Sequence, residues 1–237
     1  MAKSSSTRYY TYNFRSFKSR CTRIHAGKNH RVTMIYKFLV ISCFAVSVNL
    51  FFAEEINKSN LFDYFDNKKY LTAEFTQRTF QDGNERTVSG TIKAVRDGKF
   101  KIIYFEPMQE VIGSDGKSIF RLDYELEQMD VLPQEDYFKN TPISIFTSDV
   151  SSLSSLYQIS YCDKIKNTTI CEITPKSNDA FLEKLFLNFR NFELEELSYT
   201  DSFGQTVTLS FFNLSWLSFP NEDLEISIPK EIDIVYH

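Results

Sequence analysis

Three histidines in 237 residues decide first whether the chain can do acid–base chemistry. His25 and His30 fall in a basic stretch ahead of an apolar run, and His237 is the last residue. A nucleophile activated by histidine needs an imidazole oriented by a third group within the fold, and the placement of these three argues against one. No Gly-rich phosphate loop and no paired His or Cys spacing for a metal occurs. Glu195-Glu196 and Glu222-Asp223 sit in polar, turn-like stretches and read as solvated surface. Two distant carboxylates of the glycosidase type are the catalytic arrangement left open. The expectation is therefore no catalytic residue, no cofactor and no metal.

Cys162 and Cys171 are the cysteines beyond residue 53, and they flank the polar stretch from Asp163 to Ile170. In an oxidising compartment this spacing suits a bridged hairpin, with a loop-closure contribution of about 2 to 3 kcal/mol. Two reduced, half-buried thiols are the alternative.

The compartment is read from the first 53 residues, which hold nine Lys or Arg and no acid. That leaves 18 basic against 31 acidic residues beyond, a formal charge of -13, which disfavours nucleic acid as a partner. Met34 to Lys37, then Phe38 to Ala53, read as the cationic and apolar regions of a signal peptide, with the apolar run too short for a comfortable membrane span. Residues 1–33 are expected to be a basic extension upstream of the true start, or else a cationic cytoplasmic arm. An uncleaved anchor and a lipidated Cys43 are the other readings. Residues 54–237 are expected to form one exported domain.

Within that domain, Ile56, Leu61, Phe62 and Phe65 fit one helical stripe and predict an amphipathic helix over 54–69. From Leu71 the period becomes two, and Asp82-Gly83, Asp97-Gly98 and Asp115-Gly116 mark hairpin turns. Strands are expected through 132 and again from about 156 to 216, around ten in all. Val207, Leu209 and Phe211 change phase to Phe212, Leu214 and Trp216, which predicts a β-bulge near Phe211 and Phe212. Between Thr141 and Leu156 the pattern breaks, and one or two short apolar helices are expected.

A sheet of this size curls, and the helices could cap its concave side. The inward apolar positions are then Phe75, Phe100, Ile102, Tyr104 and, from the helices, Ile143 and Phe146. Val207, Leu209 and Phe211 complete the set. Periodicity alone favours these residues filling a solid core over lining a cavity.

Several segments, in chain order, resemble the LolA family of lipoprotein carriers. Phe75-Thr76-Gln77 resembles its opening strand, Ser114-Asp115-Gly116-Lys117 its central turn, and Asp123-Tyr124-Glu125-Leu126-Glu127-Gln128-Met129 its Asp-Pro-x-Leu-Glu-Gln-Val stretch. Asn140-Thr141-Pro142 resembles the entry to a lid helix, and Asp201 to Thr206 a late hairpin turn. Ile228-Pro229 and Ile232 to Val235 are similar to its C-terminal strand.

The resemblance implies a mainly β, α+β fold: an incomplete antiparallel β-barrel, or half-barrel, with helical lids enclosing a hydrophobic cavity. It implies a periplasmic carrier in a Gram-negative bacterium, not an enzyme. Its partners would be triacylated lipoproteins, the inner-membrane lipoprotein-releasing ABC transporter complex and an outer-membrane lipoprotein receptor. A family arginine that latches the lid through backbone carbonyls matches Arg96, although Asp97 stands where the family has proline and could compete for the guanidinium. Ile102 replaces a usual aromatic and Glu231 a usual glycine. The alternatives are the outer-membrane receptor of the same fold, or a solid-core envelope structural or sensor module.

Overall fold

The computed structural model describes residues 55–134, 141–177 and 181–237. The expected signal peptide and basic extension lie outside the described residues, as does Asn140 at the lid entry. Twelve strands form one open sheet: β1 (Tyr70–Gln81), β2 (Asn84–Val95), β3 (Lys99–Tyr104), β4 (Glu110–Asp115), β5 (Ser118–Asp123), β6 (Gln128–Pro133), β7 (Tyr157–Ile165), β8 (Thr168–Pro175), β9 (Leu182–Arg190), β10 (Glu193–Asp201), β11 (Thr206–Ser215) and β12 (Asp233–Tyr236). Their spatial order is β12-β6-β5-β4-β3-β2-β1-β11-β10-β9-β8-β7. Among the described residues two short helices, α1 (Ser144–Thr147) and α2 (Val150–Leu156), interrupt the strands.

Each hairpin begins in local chemistry. At Asp82-Gly83 both φ angles are positive, 51° and 80°, as a two-residue turn matched to strand twist requires. That turn sets the unbroken register from Tyr70↔Val95 to Gln81↔Asn84. The phase change in β11 comes from a bulge one residue beyond the expected site: Glu74 pairs with Phe212 but Thr72 with Ser215. Asn213 takes up the extra residue at φ 50°, a left-handed conformation that asparagine tolerates. Phe212 therefore stays exposed, and only Leu214 and Trp216 turn inward.

Two expectations are corrected. The stretch 55–69 is turns and a single 3-10 turn, Asp63–Phe65, rather than an amphipathic helix. Asn57 and Asn60 explain the difference: the Asn60 side chain accepts from the Asn57 N–H, and Asn57 Oδ1 accepts from the Ser59 N–H, so side chains take up the backbone donors a helix would arrange. The apolar stripe is buried all the same, with Leu61 and Phe65 fully covered. The sheet is also not wholly antiparallel, because β12 joins β6 in parallel. Between β11 and β12 the chain places Ile226 and Ile232 against Val111, Leu122 and Met129, a small cluster apart from the main core. Strand alternation puts Ile103 and Val111 on that outer face and Ile102 and Ile112 on the inner one.

The main core lies on the inner face. It joins Leu71, Phe75 and Ile92 of one half to Leu185, Leu187 and Leu197 of the other, with Ile145, Phe146 and Leu153 of the helices between them. Ile102 on β3 and Tyr199 on β10 line one cleft although four strand spacings separate them. In a flat sheet that separation is about 19 Å, so the inner face is concave, as in a half-barrel.

Candidate functional site

Arg96 stands at the end of β2, where Asp97 and Gly98 begin the turn into β3. Its Nε donates to the Lys68 carbonyl at 2.9 Å and its Nη1 to the Ser148 carbonyl at 2.7 Å. The guanidinium carbon lies 5.1 Å from the centre of the Phe65 ring, a cation–π distance. Only 9% of the residue is exposed, and burial pulls its pKa down to about 10, against the nearby charges of Asp149 and Asp66, which favour the cation. Asp97 does not take the guanidinium. Its carboxylate receives Lys99 Nζ at 2.7 Å. Gly98 adds a backbone bond to Thr147 O at 3.2 Å, so both contacts fall where α1 gives way to α2.

The helices are seated from below by aromatics. Phe146 meets Phe65 at 6.5 Å and Phe211 at 5.9 Å between ring centres, both edge to face. Ser144 Oγ and the Tyr157 hydroxyl are 2.6 Å apart in a buried pair, and Ser144 Oγ also donates to Thr141 O. Phe75 and Tyr104 pack edge to face at 5.5 Å across Gly90 on the strand between them. A Cβ on Gly90 would stand 2.1 Å from the Ile103 carbonyl oxygen and 2.8 Å from the Phe75 ring, so no larger residue fits this backbone.

Beside the helices a cleft of about 610 Å³ opens over β3 to β6. Phe100, Ile102, Ile112, Ile119 and Leu132 form its floor, and Thr141, Pro142 and Ile143 border it from the segment entering α1. Phe181 and Tyr199 close the far side, while Arg121, Asp130 and His237 bring polar groups to it. Burial raises the Tyr199 hydroxyl pKa to about 12, with the charge of Asp201 adding to it.

The nine apolar positions singled out in the sequence separate here. Phe100, Ile102 and Ile143 line the cleft. Phe75, Phe146 and Phe211 are packed into the core, with Tyr104 and Leu209 against it. Val207 is buried outside that cluster, beside Thr79 and Tyr199 in the ladder. The cleft thus opens over β3 to β6 and reaches Tyr199 on β10, while Phe75, Phe146 and Phe211 are covered. Sequence reasoning missed Ile112, Ile119, Arg121, Tyr199 and Phe181, since alternation marks a strand's two faces without saying which one curls inward. Cys162 and Cys171 face each other across β7 and β8 and are joined, with sulfurs 2.01 Å apart. Among the described residues no cluster of His, Cys, Asp and Glu could hold a metal ion.

Residues 66–223 match the family described as Outer membrane lipoprotein carrier protein LolA. An outer-membrane lipoprotein carrier protein from Dechloromonas aromatica is 26% identical over 208 residues, covering 86% of this chain and 99% of the relative. A protein of the same description from Chromohalobacter salexigens is 29% identical over 171 residues, or 69% and 79% of the two chains. A solved LolA superfamily protein from Nitrosomonas europaea aligns with a TM-score of 0.44 at 11% identity, over 73% of this chain and 99% of that one. With two thirds of its length matched, the chain belongs to the LolA family of outer-membrane lipoprotein carrier proteins.

Proposed function

We propose that the protein is a non-catalytic periplasmic chaperone that shelters the acyl chains of lipoproteins released from the inner membrane and hands them to an outer-membrane receptor. The observation that carries this reading is the apolar cleft over β3 to β6, bordered by the segment that leads into α1 and α2. At about 610 Å³ it lies within the range of ligand pockets, roughly 300 to 1,000 Å³. Burying an acyl chain is favourable by ~0.8 kcal/mol per CH2, so transfer through water needs an enclosure of this kind.

Release requires that binding be reversible. The helices, held by Arg96 through the Lys68 and Ser148 carbonyls, act as a lid that closes the empty protein and opposes ligand. A ligand that binds only the open form has its affinity lowered by the fraction of molecules that are closed. Loading would be driven by the inner-membrane ABC transporter complex, and unloading by a receptor that binds the chains more tightly.

Native mass spectrometry of the protein mixed with a triacylated lipoprotein tests this, comparing wild type with Ile102→Arg, which places a charge in the cleft floor. A one-to-one complex that the substitution abolishes is the expected result. A folded wild-type protein that forms no complex would overturn the carrier reading and favour a solid-core envelope module.

A further inference from the structure

The turn between β2 and β3 gives its backbone groups to distant parts of the chain. Arg96 N–H donates to the Lys69 carbonyl at 3.1 Å and Gly98 N–H to the Thr147 carbonyl at 3.2 Å. On its other side the Gly98 carbonyl accepts from Gln134 Nε2 at 3.2 Å. Gln134 is the residue after β6, and only 8% of it is exposed. A Cβ on Gly98 would stand 2.8 Å from that nitrogen, and Gly98 adopts φ 86°, so glycine is required here on both counts.

These contacts fix the orientation of the Gln134 amide. A carbonyl can only accept, so the Gly98 oxygen faces the amide NH2, which turns Oε1 to Ser114. Ser114 Oγ gives its one proton to Gln134 Oε1, and its lone pairs accept the Gly116 N–H at 3.0 Å. The Gln134 main chain is tied as well, its N–H donating to the Lys117 carbonyl at 2.9 Å. One chain of bonds thus runs from the Gly116 N–H through Ser114, Gln134 and Gly98 to Thr147 at the end of α1. Thr147 and Ser148 are consecutive, and the same turn holds both carbonyls, through Gly98 and Arg96. Neither Ser114 nor Gln134 lines the acyl cleft, so an effect of either on ligand has to pass through the lid.

We propose that Gln134, oriented by Ser114, is a positioning residue for the lid: it fixes the turn from which Gly98 and Arg96 grip the break between α1 and α2, and so sets how much of the empty protein is closed. The proposal rests on the carrier reading above and refines it. Arg96 supplies one grip directly, whereas Gln134 acts on both grips through the turn that carries them. Loosening the turn raises the open fraction, and ligand affinity rises with it.

Titration of the full-length protein with a triacyl lipopeptide, together with amide hydrogen exchange across residues 144–156 of the empty protein, tests this. Gln134→Met keeps the length of the side chain and removes its donor and acceptor. It is expected to tighten lipopeptide binding about two- to tenfold, the scale of one hydrogen bond, and to speed exchange in α1 and α2. Ser114→Ala should act in the same direction. Combined with Arg96→Leu, Gln134→Met should tighten binding by less than the product of the two single effects, because both release the same closed form. A residue that only braced the turn would lower the melting temperature without raising affinity. Lipopeptide affinity no higher than that of wild type in the folded variants would therefore overturn the positioning role and leave the carrier standing, with Ser114→Ala deciding the matter if Gln134→Met does not fold. If wild type binds no lipopeptide the carrier reading falls, and unchanged exchange in the empty variants would remove the positioning role with it.

Discussion

Arg96 on the sheet holds Ser148 in the break between the two short helices, with Nη1 2.7 Å from the backbone carbonyl. The contact reaches a main-chain oxygen, so it depends on where the helices sit and not on which side chains they carry. Its second anchor, the Lys68 carbonyl, lies in the segment that enters β1. One guanidinium thereby ties three parts of the chain together, and the Asp97 carboxylate beside it is held off by Lys99.

Arg96→Leu should destabilise the empty protein by about 2 kcal/mol, the scale of losing charged hydrogen bonds to two carbonyls. The same change should tighten acyl-ligand binding several-fold, because the closed form that competes with ligand is weakened. Thermal melts of the empty protein and titration with a lipopeptide measure both effects. Weaker ligand binding in a folded variant would rule out a lid role for Arg96.

Gly90→Ala should cost roughly 1 to 3 kcal/mol, the usual scale of overpacking. The added Cβ meets the Ile103 carbonyl oxygen, a backbone atom that cannot rotate away, and the Phe75 ring that packs on Tyr104. Urea unfolding checks it, and a midpoint equal to that of wild type would show that β2 and β3 can move apart without cost.

Alkaline solution should destabilise the protein between about pH 10 and pH 12. Burial raises the Tyr64 and Tyr199 hydroxyls from the ordinary 10.0 to about 12 each. The unfolded chain then releases these protons first. The folded form binds more protons across that window, so its contribution is complete below pH 10 and lost as pH rises through 12. Unfolding free energies in that window, alongside a tyrosinate absorbance titration, should show the fall. A flat profile would place both hydroxyls in contact with water.

Much of the fold was legible because it is written in short-range chemistry. Asp82-Gly83 and the alternation of Leu71, Ala73 and Phe75 place the first hairpin, although its second strand starts at Asn84, four residues before the expected Val88. The break after Thr141 gave the two helices, and the phase change in β11 gave a bulge within one residue of Asn213. The expected helix over 54–69 failed because apolar spacing reports which side is buried, and Asn57 and Asn60 settled the backbone differently.

By itself the sequence determined much of the strand pattern and the hairpin turns and offered Cys162 and Cys171 as candidate partners, since each depends on residues close in the chain. Tertiary structure alone decided where on the concave face the cleft opens. That outcome depends on the curl of twelve strands, on where Phe146 and Ile145 are seated between the halves, and on the outer segment carrying Ile226 and Ile232. It also decided that Glu110 and Arg121 pair, because two residues eleven apart on neighbouring strands become partners only when the ladder sets their register.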